Sequence, residues 1–396
     1  MQSLPPIYLK KNEDRRIRGG HLWVFSNEID AAKSPFSQLP AGQRIELYTQ
    51  SSQFIGIGYL NPASLIAIRL LQIKKGQSLE EWLSQKLQAA LALRTRLFKK
   101  PYYRLVYGES DGLPGLVVDR YGDYLVMQVN TAGMDALQEP LLNALMALLQ
   151  PKGILLRNDS GARGLEGLES YVRVGRGDVP EETIIEEDGV RYQVPLLTGQ
   201  KTGWFYDQRW NRRSLGDYLS GGSVLDVFSY TGGWGVKAAV AGAGNVLCVD
   251  SSAPALEYVA KNAALNKVQN KVQARQGDAF DVLKQLQEEK KTFDLIVVDP
   301  PAFVKRKKDF KSGVKAYHRI NQLAIQLAKP DAILISCSCS WHLPKGELEE
   351  ICWQAARQSG FQMQILQTSG QGPDHPVHPA IPETQYLKMI VARLSR

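Results

Sequence analysis

The sequence has no long apolar segment. None of its uninterrupted apolar runs approaches the ~20 residues that a helix needs to cross a bilayer. The first residues, MQSLPPIYLKKNEDRR, also have no apolar stretch of the kind that forms the centre of a signal peptide. We therefore expect a soluble protein with neither a membrane partner nor a secretory leader.

Cysteine is scarce, and its spacing does not indicate metal binding. The chain has four cysteines, Cys248, Cys337, Cys339 and Cys352, and no two of them form a CxxC pair. Cys337 and Cys339 are too close in sequence for an ordinary disulfide bridge. These observations argue against a zinc-ribbon protein and a disulfide-stabilised secreted domain. We expect no metal ion and a reduced, cytoplasmic location.

The chain also lacks internal repeats and low-complexity tracts, and its charge is unevenly distributed. With 44% hydrophobic and 22% charged residues, its 396 residues suit two or three globular domains. Residues 1–75 have ten Lys and Arg against five Asp and Glu, and residues 302–320 have seven against one. Such patches indicate a polyanionic partner such as nucleic acid. A solvated loop and a charged tail remain the alternative.

Short apolar runs alternate with helical patterns between residues 201 and 340, which predicts parallel strands with crossover helices. Each run ends in polar residues, and ligands bind beyond the carboxyl ends of such strands. The predicted strands are Ser223 to Val227, Val246 to Val249, Ala274 to Gly277, Leu295 to Val298 and Ile333 to Ile335.

The first half of the chain predicts two smaller units. Residues 1–75 contain strand-like runs separated by Gly, Pro and Ser, and Ser78 with Glu81 forms a capping box that starts a helix. The later pattern predicts two hairpins, a helix near Met134 to Leu149 and a further strand. We predict domains at 1–75, 76–186 and 187–396. The strand-like runs are Trp23 to Phe25, Arg44 to Tyr48, Phe54 to Tyr59, Ile66 to Ile73, Arg104 to Tyr107, Leu116 to Arg120, Tyr124 to Val129, Gly153 to Arg157 and the hairpin Thr183 to Val194.

Three acidic residues at consecutive strand ends predict a nucleoside-containing cofactor. Asp226 leads into a Gly-containing turn, at which backbone can approach a ligand closely. Asp250 ends the next strand, where an acidic side chain usually binds ribose hydroxyls. Asp278 follows the third, where it can accept a hydrogen bond from an adenine amino group.

The residues after the last two predicted strands indicate the reaction. Asp299-Pro300-Pro301 projects a carboxyl group and backbone carbonyls beside a reacting base, and Cys339 follows the next strand. A thiolate that adds to carbon 6 of a pyrimidine makes carbon 5 nucleophilic enough to take a methyl group. Asp299 can contact N3 and the exocyclic amine of a cytosine. The alternative for Cys339 is a small buried residue that closes a strand.

In sequence order, these motifs resemble the large-subunit ribosomal RNA cytosine-C5 methyltransferases that carry an N-terminal PUA domain. The resemblance implies an α/β fold with a C-terminal Rossmann-like class I methyltransferase sheet, preceded by a small β-rich PUA-like domain and a small α+β middle domain. It also implies S-adenosylmethionine as cofactor and large-subunit rRNA as partner, whereas a homodimer stays open. The matching stretches are Arg18 to Ser26, Gly108 to Gly115, Gln200 to Arg209, Phe228 to Gly233, Asp299 to Phe303 and Ser338 to Ser340.

The resemblance and the basic patches together assign roles to individual residues. Cys339 is the expected nucleophile and Asp299 its catalytic partner. The expected RNA-binding residues are Arg15, Arg16, Arg18, Lys305, Arg306, Lys307 and Lys308. The expected cofactor-binding residues are Lys201, Tyr206, Gln208, Arg209, Asp226, Phe228, Ser229, Thr231, Gly232, Gly233, Asp250, Ser251, Asp278, Ala279 and Asp299.

Two departures from the family pattern and three rival functions remain. Ala302 stands where the family commonly has Lys, and Cys337 is an extra thiol that we interpret as a structural strand residue. The closest rival is methylation of a purine nitrogen in RNA, which needs no thiol. A non-catalytic RNA-binding assembly factor and a small-molecule methyltransferase are the others.

Overall fold

The computed structural model describes residues 4–73 and 76–396. The described chain divides into two compact units. The first comprises the described residues up to 183 together with residues 195–206 and 373–384, and the second comprises residues 184–194, 207–372 and 385–396. The predicted boundary after residue 75 adjoins residues 74–75, which lie outside the described residues. The division at 75 and 186 therefore stays a prediction.

The first sheet of the first unit is built from short strands in the order β1-β3-β4-β5-β2. Alternate side chains of β3, including Ile45 and Leu47, are fully buried in its core, as expected for a strand with one face in water. The four strands predicted in this region are present, although the one predicted over Ile66 to Ile73 ends at Leu70. The elements are β1 (Pro6–Tyr8), α1 (Asp14–Arg18), β2 (Trp23–Phe25), β3 (Gln43–Tyr48), β4 (Phe54–Leu60) and β5 (Ile66–Leu70).

A long helix and a second five-stranded sheet complete the first unit. The helix α2 (Leu79–Leu97) begins at the predicted capping box of Ser78 and Glu81. The sheet has the order β10-β9-β8-β7-β6. The other elements are β6 (Tyr102–Tyr107), β7 (Leu116–Tyr121), β8 (Tyr124–Val129), α3 (Ala132–Ala136), α4 (Gln138–Leu149), β9 (Gly153–Asn158), α5 (Gly161–Leu165) and β10 (Tyr171–Gly177).

The single helix predicted near Met134 to Leu149 is wrong in one respect, because the structure divides it at Leu137. Pro140 explains the division. In a continuous helix its nitrogen would face the carbonyl of Ala136 without a proton to donate, whereas the first turn of α4 requires no such donor.

A two-stranded hairpin precedes the larger sheet of the second unit. It consists of β11 (Glu182–Glu187) and β12 (Val190–Pro195), as predicted, and α6 (Arg209–Ser214) follows. Asp188 and Gly189 form its turn with φ values of 47° and 81°. A two-residue turn of this kind requires positive φ at both positions, which an Asp-Gly pair adopts readily.

The main sheet of the second unit has seven strands in the order β15-β14-β13-β16-β17-β19-β18. The five strands from β13 to β17 are parallel, as predicted, and β19 runs antiparallel to both β17 and β18. The strands are β13 (Ser223–Val227), β14 (Asn245–Asp250), β15 (Val272–Gln276), β16 (Phe293–Val298), β17 (Ala328–Ser338), β18 (Gln362–Ser369) and β19 (Lys388–Ser395). The helices are α7 (Gly233–Val240), α8 (Ala253–Leu265), α9 (Ala279–Glu288), α10 (Phe310–Ile325) and α11 (Lys345–Gln358).

The strand order reverses at β13, which has β14 on one side and β16 on the other. The crevice beyond the carboxyl ends of these strands is where open α/β sheets bind ligands. The predicted fold class is confirmed. Within residues 4–73 and 76–396, no helix has both the length and the apolar character needed to cross a membrane.

Candidate active site

The loop after β13 has an unusual backbone. Phe228 and Tyr230 have φ values of 66° and 49°, and Gly232 has 82°. Positive φ is costly for residues with a side chain, so such a loop persists only where its surroundings hold it. The Ser229 amide donates to the Val249 carbonyl (3.0 Å), and the Tyr230 amide donates to Oδ2 of Asp250 (2.8 Å). The end of β14 therefore holds this loop in place.

Three buried polar atoms in and beside this loop have no hydrogen-bond partner among the described residues. They are Oδ1 of Asp226, Oγ of Ser229 and Oγ1 of Thr231. Buried polar groups are normally paired, because an unpaired one costs about 1–3 kcal/mol. Their clustering at the switch point of the sheet is what a pocket for a polar ligand requires. A cofactor with both a nucleoside and an amino-acid group fits this set of acceptors and hydroxyls.

Asp226 is a carboxyl group of the site with a strongly raised pKa. It is fully buried, and its Oδ2 accepts a hydrogen bond from the Gly235 amide (2.8 Å). Burial raises its pKa to about 8, against the lowering effect of the Gly235 amide, and the charges of Asp299 and Asp250 raise it further. A ligand cation beside Oδ1 would favour the ionised carboxylate.

This burial predicts a pH-dependent stability for the protein without ligand. Between the ordinary unfolded pKa of about 3.9 and a folded pKa of about 8, the folded state keeps a proton that the unfolded state has lost. Stability therefore falls as pH rises through this window, by up to about 1.4 kcal/mol per pH unit. We expect Asp226→Asn to remove most of that decline. Urea unfolding of the wild type and of Asp226→Asn at pH 5, 6, 7 and 8 gives the free energy of unfolding at each pH. An equal decline of this free energy with pH in both proteins would contradict the expectation.

The other two strand-end acids are held by backbone amides. Asp250 accepts from the amides of Tyr230 and Ser252 (2.8 and 2.9 Å). Asp278 caps α9, because its Oδ1 accepts from the amides of Phe280 and Asp281. Both lie at the same edge of the sheet, as predicted from the ends of β14 and β15. Neighbouring Ser251 is exposed and Ala279 is buried. The roles of these four residues toward a cofactor stay predictions.

Two N–H groups donate hydrogen bonds to the carboxyl group of Asp299. The Gln208 amide nitrogen lies 2.9 Å from both carboxyl oxygens, and Nε1 of Trp234 donates to Oδ2 (3.0 Å). The side chain of Asn211 donates to the Gln208 amide oxygen (2.6 Å), and Ser369 donates to that of Asn211. This relay fixes which end of the Gln208 amide faces Asp299. A set of N–H donors stabilises the carboxylate as an acceptor.

Cys339 is the only one of the four cysteines that is not buried. Its Sγ lies 3.9 Å from the carbonyl oxygen of Pro300, next to Asp299 in the chain. The two flanking serines turn the other way: Ser338 donates to the Tyr317 hydroxyl (2.9 Å), and the Ser340 hydroxyl lies 3.0 Å from it. Alternation along the end of β17 thus leaves the thiol of Cys339 toward the site.

Cys337 lies two residues earlier and is fully buried. Burial raises the pKa of its thiol well above the ordinary value, and the charge of Asp299 raises it further. A buried thiol of high pKa is a poor source of thiolate. The structure therefore favours the interpretation of Cys337 as a structural residue.

The remaining predicted cofactor residues have varied surroundings. In the second unit, Gly233 begins α7, Phe228 packs near Phe303, and Arg209 lies 3.6 Å from Glu187. In the first unit, the Tyr206 hydroxyl donates to the Arg120 carbonyl (2.9 Å), and the Lys201 ammonium lies 4.4 Å from the centre of the Phe205 ring. Their cofactor roles stay predictions.

The predicted RNA-binding residues differ in exposure. In the first unit, Arg15 is exposed, whereas Arg16 makes a bidentate ion pair with Glu28 (2.7 and 2.8 Å), and Arg18 pairs with Asp14 (2.6 Å). In the second unit, residues 305–308 of the loop that follows Pro301 are all exposed. Arg306 pairs with Asp309 (3.0 Å). Arg16 is thus engaged within the fold, and the other cations face solvent.

Two groups at the site carried no assignment in the sequence. Trp234 directly follows Gly232 and Gly233 of the turn after β13. Its position in the sequence does not indicate that its indole donates to Asp299. Lys388 begins β19, a strand that the pattern did not predict. The sequence signal for Lys388 is a cation directly before the apolar run Met389 to Ala392.

Comparison with known proteins agrees with this geometry. Residues 7–72 match the family model of a PUA-like domain, and residues 169–380, more than half of the chain, match that of an S-adenosylmethionine-dependent methyltransferase. Two solved structures have the same fold. A chain from Streptococcus mutans assigned as an S-adenosylmethionine-dependent methyltransferase has a TM-score of 0.82 at 20% identity. Another chain assigned as a methyltransferase, complexed with SAH, has a TM-score of 0.83 at 21% identity. Each alignment covers 98% of this chain and 100% of the other.

The fold and the site thus define an enzyme that depends on S-adenosylmethionine to transfer methyl groups. Among similar sequences, ribosomal RNA large subunit methyltransferase I of Tolumonas auensis is 37% identical, with 98% of each chain covered. The protein of the same name from Aliivibrio fischeri is 35% identical, with 98% of this chain and 99% of that one covered. The chain belongs to the family of ribosomal RNA large subunit methyltransferase I.

Proposed function

We propose that the protein methylates carbon 5 of a cytosine in large-subunit ribosomal RNA, through a thiolate adduct of Cys339. The observation that carries this proposal is the partly exposed thiol at the end of β17, which lies beside the carbonyl of Pro300. Pro300 directly follows Asp299, whose carboxyl group is held by N–H donors. The name of its relatives, ribosomal RNA large subunit methyltransferase I, supports the class of RNA. The choice of cytosine as the target base and the thiolate adduct are supported by the geometry of the site alone.

The thiolate provides the activation that the reaction needs. Addition of sulfur to carbon 6 moves electron density to carbon 5, which then bonds to the incoming methyl group. S-adenosylmethionine, when bound, supplies that methyl group from its sulfonium. Transfer of the carbon-5 proton to a base of the site or to water, with cleavage of the carbon–sulfur bond, returns the thiolate and leaves 5-methylcytosine in the RNA. The cysteine is therefore regenerated in each turnover.

Asp299 is suited to orient the base. Gln208 and Trp234 hold its carboxyl group through N–H donors, and a carboxylate oxygen has a second lone pair with which to accept from the cytosine amine. Around the loop of β13, Asp226, Ser229 and Thr231 supply unpaired polar atoms for the cofactor. Asp250 and Asp278 lie at the neighbouring strand ends, where ribose and adenine groups are bound in this type of fold.

The target base must leave its helix to reach Cys339, so the RNA needs a further point of attachment. We assign this to the exposed loop of residues 305–308, which follows Asp299-Pro300-Pro301 in the chain. We expect the double variant Lys307→Ala/Lys308→Ala to bind RNA more weakly. Each phosphate contact to a single strand contributes about 0.7 to the slope of log affinity against log salt concentration. The loss of two contacts should therefore make the slope of the double variant shallower than that of the wild type by about 1.4.

A control of equal charge change separates this loop from net charge. Lys284 and Lys291 are exposed lysines outside the loop, and Lys284→Ala/Lys291→Ala should keep the slope of the wild type. Filter binding of an rRNA fragment from 50 to 300 mM KCl gives both slopes. Equal slopes for the two double variants would remove the loop from the RNA-binding surface.

The experiment that tests the function identifies the methylated nucleoside. Unmodified large-subunit rRNA is incubated with the protein and radiolabelled S-adenosylmethionine, digested and separated by chromatography. We expect label in 5-methylcytidine. Label in a methylated purine would replace the proposal by nitrogen methylation, in which Asp299 and the adjacent prolines orient the base. If no nucleoside of the RNA carried label, both cytosine methylation and purine methylation would be excluded.

A further inference from the structure

A lysine buried beside the nucleophile has no assigned role. Lys388 begins β19, where its backbone pairs directly with Ser338 of β17. Lys388 is only 9% exposed, and its ammonium group donates a hydrogen bond to the carbonyl of Ser340 (2.5 Å). Cys339 lies between Ser338 and Ser340. The structure thus brings a buried cation to the peptide segment that carries the thiol.

The carbonyl of Ser340 does not neutralise this cation. Among the described residues, Lys388 forms no ion pair with a carboxylate, although a buried lysine is normally paired. Burial lowers the pKa of Lys388 to about 8, and interaction with Cys339 opposes this shift. A negative charge on Cys339 would therefore compensate the positive charge of the buried Lys388 ammonium group.

Acidic residues near this strand end would oppose a thiolate at Cys339. Asp299 and Asp207 are acidic, and both raise the pKa of Cys337 on the same strand. Tyr317 of α10 reaches the neighbouring serines through its hydroxyl, and burial raises its pKa. Asp299 and Asp207 would therefore repel a thiolate in these surroundings, whereas Lys388 would attract it.

We propose that Lys388 is the positioning residue that holds Cys339 as a thiolate in an ion pair. The pair forms when the S–H proton of Cys339 moves to the neutral amine of Lys388, so that one S–H bond breaks and one N–H bond forms. The inference rests on the proposed function for the purpose of that thiolate. The ion pair itself requires neither RNA nor cofactor.

The thiol can be titrated directly in the protein without ligands. Iodoacetamide reacts with thiolates, and mass spectrometry of the peptide that contains Cys339 reports its alkylation alone, since the other three cysteines are buried. In the wild type, we expect the alkylation rate of Cys339 to rise with an apparent pKa at least one unit below the ~8.5 of a free cysteine. A wild-type value at or above 8.5 would overturn the proposal without any variant.

Variants of Lys388 then test whether this lysine lowers the apparent pKa of Cys339. Lys388→Met removes the charge but keeps the length of the side chain, and should shift the profile upward by at least one unit, which makes alkylation about tenfold slower at pH 7. Lys388→Arg should restore most of the shift. Lys329 lies on β17 and pairs with Asp294, so Lys329→Met is the matched control and should leave the profile unchanged. An unchanged profile in a folded Lys388→Met protein, judged by its thermal unfolding, would refute the role of Lys388.

The two proposals fail separately. If the product were a methylated purine, the cytosine reaction would be lost, while a Lys388-dependent titration of Cys339 would still establish the ion pair. If the product is 5-methylcytidine and the titration ignores Lys388, the methylation stands and this inference falls.

Discussion

Cys339→Ala is expected to abolish methyl transfer, with a fall in kcat of at least about a thousandfold. Without the sulfur, the proposed adduct at carbon 6 cannot form, and carbon 5 of cytosine is too weak a nucleophile to react alone. The substitution removes one partly exposed sulfur at a strand end, so the fold should persist. Methyl incorporation into rRNA under single-turnover conditions measures the loss.

Cys337→Ala is the matched control, since the same atom is removed two residues away. Its thiol is fully buried and has a raised pKa, so we expect activity within a few-fold of the wild type once the protein is folded. Loss of activity in Cys337→Ala with retention in Cys339→Ala would exchange the roles. Full activity in both variants would exclude a thiolate mechanism.

A substrate analogue extends this test to the covalent bond. RNA with 5-fluorocytidine has no proton to lose at carbon 5 after methylation, so the carbon–sulfur bond cannot break by elimination. We expect a protein–RNA adduct that survives denaturing electrophoresis in the wild type and Cys337→Ala, and no adduct in Cys339→Ala.

The parallel part of the fold was predictable because each strand is a short apolar run that ends in a turn. Ser223–Val227 has the predicted limits, and the neighbouring strands differ by a few residues. The antiparallel pair β18 and β19 was not predicted. β18 has an irregular burial pattern, and β19 follows a segment without periodicity, so their place is set by pairing with β17.

The site was predictable where it depends on strand ends and not where it depends on long-range contacts. The positions of Asp226, Asp250, Asp299 and Cys339 at one sheet edge follow from topology. The contact between Gln208 and Asp299 joins residues 91 apart in sequence, and no local pattern encodes it. Asp278 shows a different difficulty, because a strand-end acid and a helix N-cap have the same sequence signature.

Asp299→Asn is expected to lower kcat about a hundredfold or more, the range usual for loss of a group that handles protons or orients a reacting base. An amide cannot accept at both ends. Its NH2 group would face either the Gln208 amide nitrogen or the Trp234 indole, both of which donate to the carboxyl group now. The variant should therefore lose both the acceptor for the cytosine amine and the fixed orientation of the side chain.

Two further measurements distinguish chemistry from cofactor binding, since the sequence predicts both roles for Asp299. If Asp299 acts on the base, calorimetric titration with S-adenosylmethionine should give a Kd within a few-fold of the wild type, while kcat falls. Gln208→Leu removes two contacts to the carboxyl group but keeps its charge, so a smaller loss, about tenfold, should follow from reduced orientation alone. A large rise in Kd with unchanged kcat in Asp299→Asn would instead assign the carboxylate to the cofactor, and the base would need another partner.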